Sequence, residues 1–294
     1  MKVTIVILNF NGANVTKECV ESLKKASGSF EIIIVDNGST DGSDKILSKI
    51  KGITFLQNKE NLGYSGGNNS GIKVALKNGA EAVLVLNNDT IVEKDFLINL
   101  LRATKKADVI SPKIYFAPGF EFHKDRYKLK DLGKVIWFAG GKIDWNNIMG
   151  IHLGVDEVDN GQFEKQKEIE FATGACMLIK SEVFKKIGLF DEKYFLYLED
   201  MDFSRRVKLA GFKIYFEPSS VIWHKNASTS GGSGSLLQDY FITRNRLLFS
   251  FKYAKFRTKI AVFRQIFGSY RNNTKRRALI DFLTLQLGKG SFLK

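Results

Sequence analysis

Three short, continuously apolar runs rich in β-branched residues, each closing in a cluster of Asn, Asp and Gly, constrain this chain more than any other feature. Residues 3 to 8 end in Asn9-Phe10-Asn11-Gly12, residues 31 to 35 (Glu-Ile-Ile-Ile-Val) in Asp36-Asn37-Gly38-Ser39-Thr40-Asp41, and residues 82 to 86 (Ala-Val-Leu-Val-Leu) in Asn87-Asn88-Asp89-Thr90. Runs of this length without polar alternation suit strands buried on both faces of a parallel sheet. Helical patterns separate them, over residues 14 to 26, over 41 to 51 opening on Asp41, and over 66 to 78. Strands and helices alternating at this pace predict an α/β fold, a Rossmann-like, mostly parallel sheet flanked by helices. In such sheets ligands sit beyond the carboxyl ends of the strands, where these polar clusters gather.

With 294 residues, 44% of them hydrophobic, the chain is long enough for one large domain with a buried core and a small appendage. Cys19 and Cys176 stand far apart and match no metal-ligand or redox spacing, so no disulfide framework is expected and a reducing, cytoplasmic setting fits. Met1 to Leu8 run directly into strand pattern without the apolar stretch and cleavage site of a signal peptide. No run reaches the roughly 18 apolar residues that a membrane-spanning helix needs. The net charge of +14 is unevenly placed: from Arg244 to Lys294 there are 13 Lys and Arg against Asp281 alone, which leaves positions 1 to 243 near neutral at +2. Basicity is a property of the tail.

From about residue 115 the pattern becomes irregular, with a highly charged stretch from His123 to Lys134 and glycines at Gly140-Gly141 and from Gly150 to Gly161. This part is expected to cover the site rather than build the sheet. Strand character returns over residues 168 to 180, and a helix starts at Ser181-Glu182. Gly231-Gly232-Ser233-Gly234-Ser235 reads as a flexible linker between a main domain over residues 1–230 and a basic, amphipathic helical extension over 231–294.

Each polar cluster alone suits a turn, and Asp41 suits the N-cap of the helix after it. Three clusters converging on one sheet edge make a binding site. Asp36, closing a buried strand, can accept a hydrogen bond from a nucleotide base or ribose. The Gly/Asn-rich segment from Asn58 to Gly71 opens a helix, so its backbone N–H groups can meet a nucleotide. It has neither the Gly-Lys-Ser/Thr ending of a Walker loop nor a Gly-x-Gly-x-x-Gly fingerprint. Asp89 is the only acid of its tripeptide, and a divalent ion held by one carboxylate needs the oxygens of a bound diphosphate to complete its shell. Five acids fall between Asp191 and Asp202. Asp191 and Asp202 suit structural roles at a helix start, whereas Glu199 and Asp200 are close carboxylates that raise each other's pKa, as a general base for a hydroxyl requires. His224 closes the apolar run Val221-Ile222-Trp223, and its neutral imidazole can join Asp89 on Mn²⁺.

The segments Val6-Ile7-Leu8-Asn9-Phe10-Asn11, Val35-Asp36-Asn37-Gly38-Ser39-Thr40-Asp41, Asn61-Leu62-Gly63-Tyr64-Ser65-Gly66-Gly67-Asn68-Asn69, Leu86-Asn87-Asn88-Asp89, Ala172-Thr173-Gly174-Ala175, Leu196-Tyr197-Leu198-Glu199-Asp200-Met201-Asp202 and Trp223-His224 stand in that order. Together they resemble the family 2 glycosyltransferases of GT-A fold, in the rhamnosyltransferase-like branch, from Val3 to about Asn245. The resemblance implies inverting transfer of a sugar from a nucleoside-diphosphate donor to a glycan or polyprenyl-linked acceptor in cell-surface polysaccharide synthesis. It implies dTDP-rhamnose as donor, with UDP-sugars and GDP-mannose behind it. It also implies a nucleotide-binding half over 1–110 and an acceptor half over 111–230. Asp36 would contact the donor base, with Asn9, Asn11, Asn61, Gly63, Tyr64, Asn68, Asn87 and Asn88 lining the nucleotide site. Asp89 would end the family's Asp-x-Asp motif and bind Mn²⁺ or Mg²⁺, His224 matches a metal-binding histidine of some members, and Asp200 matches the base, with Glu199 beside it. The chain departs from the family at Asn87 and Asn88, where Asp is frequent. An amide still hydrogen-bonds ribose but adds no charge, so the metal is expected to bind only with the donor.

In residues 236 to 256, Leu237, Tyr240, Phe241, Leu248 and Phe251 recur at helical spacing among Arg244, Arg246, Lys252 and Lys255, and residues 260 to 287 do much the same. Basic amphipathic helices lie on anionic membrane surfaces. The extension is therefore expected either on the inner face of the cell membrane or packed on the main domain or a partner. Two other classes account for fewer residues. A nucleic-acid binder explains the tail but not the acidic strand ends, which repel phosphate. A sugar nucleotidyltransferase explains Asp36 and Asp89, leaves Glu199-Asp200 without a role, and lacks its Gly-rich, Lys/Arg-bearing phosphate loop.

Overall fold

A computed structural model describes residues 1–226 and 234–293, Lys124 by its backbone alone. β1 (Val3–Asn9) buries Val3, Ile5, Val6 and Ile7, each worth about 1.5–3 kcal/mol through apolar area removed from water. It can bury both faces because it lies mid-sheet, parallel to β2 (Glu31–Asp36) and β4 (Ala82–Asn87). β3 (Thr54–Gln57), a short run that the apolar pattern does not mark, adds outside β2, also parallel. The helices α1 (Ala13–Lys24), α2 (Ser43–Leu47) and α3 (Gly63–Lys77) carry the crossovers. This is the α/β arrangement that the alternating pattern predicts. Asp41 does its capping one residue early: Gly42 occupies the N-cap, and the Asp41 carboxylate accepts from Ser43 N at 3.0 Å.

The second half continues the sheet as the strand character of residues 168 to 180 suggests, and the irregular part from about residue 115, expected only to cover the site, adds Ile136–Phe138 and Lys167–Glu168 to it as well. In chain order follow β5 (Thr90–Val92), α4 (Phe96–Ala103), β6 (Val109–Phe116), β7 (Ile136–Phe138), β8 (Gly141–Asp144), β9 (Met149–His152), β10 (Lys167–Glu168), β11 (Cys176–Lys180), α5 (Ser181–Ile187), α6 (Glu199–Leu209) and β12 (Ile214–His224). The strand path is β10-β12-β6-β11-β4-β1-β2-β3, with β5 on β12 and β7 on β6, while β8 and β9 form a separate hairpin. Apart from β11, which falls in the strand pattern of residues 168 to 180, and the end of β12, these strands of the second half escape a sequence reading, most of them because they are short. The longest member, β12, is interrupted by Pro218 at a register break between Glu217 and Val221, where a residue with no N–H to give the ladder belongs.

After residue 234 come α7 (Leu236–Tyr253), α8 (Phe256–Gly268) and α9 (Asn273–Leu283). The linker glycines Gly231 and Gly232 with Ser233, and so the expected boundary after residue 230, lie outside the described residues. Leu247 and Phe249 of α7, Val262 and Ile266 of α8, and Leu279 of α9 share one buried core with the strands. Of the two settings expected for the extension, α7 takes the packed one on this face: Tyr240, Phe241 and Arg244 are fully buried, Arg246 donates to Asn147 O, and Lys252 pairs with Asp202. Helical spacing announces an apolar face without saying whether lipid or protein covers it. No helix among the described residues is long and apolar enough to cross a membrane. Cys19 and Cys176 are buried and free, and burial pushes the Cys19 thiol up to about 12, well out of the reactive range.

Candidate active site

The carboxyl ends of β1, β2 and β4 are tied together by a buried chain of hydrogen bonds that all point one way. Asn88 Nδ2 donates to Thr16 Oγ1 at 2.9 Å, Thr16 Oγ1 donates to Asn9 Oδ1 at 2.8 Å, and Asn9 Nδ2 donates to Asp36 Oδ1 at 2.8 Å. Ser39 adds its hydroxyl to the same Asp36 oxygen and its N–H to the other. Asp36 is fully buried, so Asp36, Asn9 and Asn88 form the floor of the site and spend their polar groups on one another, as buried polar groups must. Asn11 stands at the surface of this floor, at a φ of +51°, its side-chain oxygen accepting from Thr40 N at 2.8 Å.

Next to the floor, antiparallel pairing of β5 with β12 sets His224 opposite Thr90, and this register brings His224 Nε2 to 3.0 Å from Asp89 Oδ1. The Asn87 amide lies 3.5 Å from the same ring nitrogen. His224 is buried and its Nδ1 has no hydrogen-bond partner among the described residues. The Trp137 indole stands edge-on between two imidazoles, with ring centroids 4.5 Å from His224 and 4.5 Å from His152. Burial pushes the His152 pKa down to about 4, leaving that ring neutral at ordinary pH. Among the described residues no three His, Cys, Asp or Glu side chains cluster to hold a metal unaided. Two adjacent buried side chains of the right chemistry, Asp89 and His224, would fit a divalent ion whose remaining shell a bound diphosphate could complete.

Asp200 reaches this neighbourhood through residues 173–175. Ala175 O accepts from Asn87 N at 2.9 Å, while Gly174 N donates to Asp200 Oδ2 at 3.0 Å and Met201 N to Oδ1 at 2.8 Å. Burial nevertheless pushes the Asp200 pKa above the usual carboxylate range. Glu199, buried beside it, is pushed well up by burial and then by the Asp200 charge, which favours its neutral acid form. Asp202 plays the structural part expected of it. It has no exposed surface and binds Arg206 Nε at 2.8 Å and Tyr253 OH at 2.8 Å as well as Lys252. Burial pushes its pKa up, but Arg206 and Lys252 outweigh that and hold it below the usual range.

The Gly/Asn-rich segment does something other than offer free N–H groups. Tyr64 N and Ser65 N, at the start of α3, donate to Phe195 O at 2.7 and 3.3 Å, so the loop before α6 caps α3. Gly63 holds a φ of +72°, and a Cβ there would collide with Phe195. Asn61 turns the chain into this start, its Oδ1 accepting from Gly63 N at 2.8 Å and from Asn37 Nδ2 at 3.0 Å. Tyr64 OH donates to Gly174 O at 2.6 Å, and Asn68 Nδ2 donates to Tyr64 O at 3.0 Å from within the helix. Gly71 lies where a side chain would strike Val6 and Val35, which lets α3 sit directly on the sheet. Gly63 and Tyr64 thus join the nucleotide half to the Asp200 loop.

The Glycosyl transferase family 2 model matches residues 4–188, a span that takes in every strand-end cluster of β1, β2 and β4. The chain belongs to glycosyl transferase family 2. This glycosyltransferase is 28% identical over 251 residues to the low-salt glycan biosynthesis hexosyltransferase of Haloferax volcanii, covering 84% of this chain and 75% of that protein. It is 24% identical over 212 residues to the N-acetylglucosaminyl-diphospho-decaprenol L-rhamnosyltransferase of Mycobacterium tuberculosis, covering 68% of each. GalNAc-T7 solved with UDP, GalNAc and Mn²⁺ shares its fold at a TM-score of 0.60 and 18% identity, over 83% of this chain and 50% of that one. Around the candidate site the structure also gathers residues that the motifs do not mark. Thr16, Trp137 and His152 fall in a helix and two short strands whose sequence reads as ordinary core, and Asn245 sits in a basic run that reads as surface.

Proposed function

We propose that this enzyme transfers a sugar with inversion from a nucleoside-diphosphate donor, dTDP-rhamnose first and a UDP-sugar second, to a glycan or polyprenyl-linked acceptor in cell-surface polysaccharide synthesis. The observation that carries the reading is the Asp89–His224 pair tied through Asn87 and residues 173–175 to the Asp200 carboxylate. The rhamnosyltransferase and decaprenol in the name of the mycobacterial relative support the sugar and the lipid. Asp89 and His224 are the residues that would hold Mn²⁺ or Mg²⁺, and an ion bound there neutralises charge on a diphosphate. Asp200 takes the proton of the acceptor hydroxyl. The acceptor oxygen then bonds to the anomeric carbon from the face opposite the diphosphate, and the electron pair of the broken C–O bond leaves with the diphosphate. Thermal-shift measurements with dTDP, UDP and GDP, with and without Mn²⁺, test the site, because a ligand of the folded state raises its melting point. At least one of the three is expected to stabilise the protein, and more so with Mn²⁺. Release of pyrophosphate in place of nucleoside diphosphate would turn the assignment to a nucleotidyltransferase.

For the lipid-linked acceptor, the membrane face we propose is the outer side of α8 rather than α7. Phe256, Ile260 and Phe267 are 75%, 43% and 58% exposed and recur at helical spacing among Arg257, Lys259 and Arg264. Apolar wedges flanked by cations suit an anionic surface, each nearby cation adding about 1 kcal/mol. Co-sedimentation with phosphatidylglycerol vesicles is expected for the native protein and lost when these three side chains become serine. Equal sedimentation of both would remove the membrane reading and leave the transfer reading standing.

A further inference from the structure

Three bulky residues just before α6 hold left-handed backbone: Phe195, Tyr197 and Leu198, at φ of +63°, +68° and +66°. Side chains of this size persist there only when their surroundings impose it. The restraint comes from two consecutive residues of α7. Asn245 Nδ2 donates to the carbonyls of Tyr194, Leu196 and Tyr197 at 2.9, 2.8 and 2.8 Å. Arg244 Nη2 donates to the carbonyls of Lys193 and Tyr194 at 3.2 and 3.0 Å. The two are locked to each other, since Asn245 Oδ1 accepts from Arg244 Nε at 3.1 Å and from Nη2 at 3.0 Å. Arg244 Nη1 anchors the pair to Gly288 O at 2.7 Å.

Both residues are fully buried. An interior guanidinium costs desolvation that an apolar side chain of similar volume avoids, so stability alone does not call for it. What the pair accomplishes is geometric. The held loop ends at Leu198, the N-cap of α6, whose first two residues are Glu199 and Asp200. From the other side the same loop is fastened to α3 through Phe195 O, and Phe195 stacks on Phe241 of α7 at 5.2 Å.

We infer that Arg244 and Asn245 are positioning residues: they hold the loop over residues 193–198 in its left-handed course and so aim the Asp200 carboxylate into the site. This rests on Asp200 being the base. The test needs no donor and uses the whole chain. In Asn245→Ala, hydrogen–deuterium exchange over residues 193–202 rises by about tenfold or more, while β1, β2 and β4 keep native protection. The carboxyl carbon of Asp200, observed by NMR and identified by its loss in Asp200→Asn, titrates closer to an ordinary aspartate. If Asn245→Ala does not fold, Arg244→Lys carries the same two readouts. Exchange that rises evenly over the whole chain, or an Asp200 titration that stays native, overturns the inference. Turnover retained by Asp200→Asn would instead remove the base assignment and leave the loop's positioning measurable.

Discussion

Asp200→Asn lowers sugar transfer by about 10²–10⁴-fold, the range a well-placed general base contributes, with the fold intact and nucleoside-diphosphate affinity changed by less than about threefold. The substitution is nearly isosteric. An Asn Oδ1 can still accept from Gly174 N, which now holds Asp200 at 3.0 Å, so the link between residues 173–175 and α6 survives while the proton acceptor is gone. The pH profile carries a second mark of the same group. A base works only when deprotonated, so transfer is full above its pKa in the folded protein and falls as pH drops through it. Burial raises that pKa above the ordinary 3.8, which places the acid limb of the native enzyme above that of an exposed aspartate. Transfer kinetics across pH, with nucleotide affinity by calorimetry, check both marks. A mutant that kept most of its turnover would send the search for the base elsewhere.

Asp89→Ala is expected to abolish the manganese-dependent part of nucleotide stabilisation. A ligand at a hundred times its Kd stabilises a protein by about 2.7 kcal/mol, and the variant should lose most of the increment that Mn²⁺ adds. On the proposed reading, the protein would supply two metal ligands at this point, Asp89 and His224, which lie 3.0 Å apart. Removing the carboxylate of the pair leaves a lone imidazole, too little for a hard divalent ion. The backbone carbonyl of Asp89 stays fastened to Lys225 N at 2.9 Å, so the strand end keeps its place. Melting curves of native and variant protein with dTDP, UDP and GDP, with and without Mn²⁺, separate lost metal from lost fold. Tight Mn²⁺ binding by the native protein with no nucleotide present would mean that the uncharged Asn87 and Asn88 do not make the metal depend on the donor.

Much of the first 110 residues is legible in the sequence because β1, β2 and β4 lie mid-sheet. Burial on both faces makes β1, β2 and β4 continuous apolar runs, and their polar ends then stand out. β7 and β10 are hard to see because they are short, and β6, though eight residues long and almost wholly buried, because Ser111, Pro112 and Lys113 break its apolar run; pairing partners far along the chain define all three more than local pattern does. At the site, Asp89 and His224 are recognisable as residue types at strand ends, and the structure places them in contact. Asp36 is recognisable too, and the structure adds what its sequence does not show, that Asn9 and Ser39 hold its carboxylate in place. Tyr64 and Gly63 resemble nucleotide contacts by motif, and in the structure Gly63 N goes to Asn61 Oδ1 while Tyr64 N and Ser65 N go to Phe195 O. The cations of α7 read as a solvated or lipid-facing stripe, since nothing local distinguishes Arg244, fully buried, from Arg257, on the surface.

Asn245, 45 positions after Asp200 in the chain, holds the carbonyls of the loop that leads into it. A polypeptide leaves the ribosome from its N-terminus. The parallel sheet of β1 to β4 can therefore assemble early in translation, while the turn before α6 must wait for α7 to arrive. On the proposed reading, the Asp200 carboxylate is therefore aimed only after α7 has been made, so the last helices of the chain complete a site whose floor is laid down first.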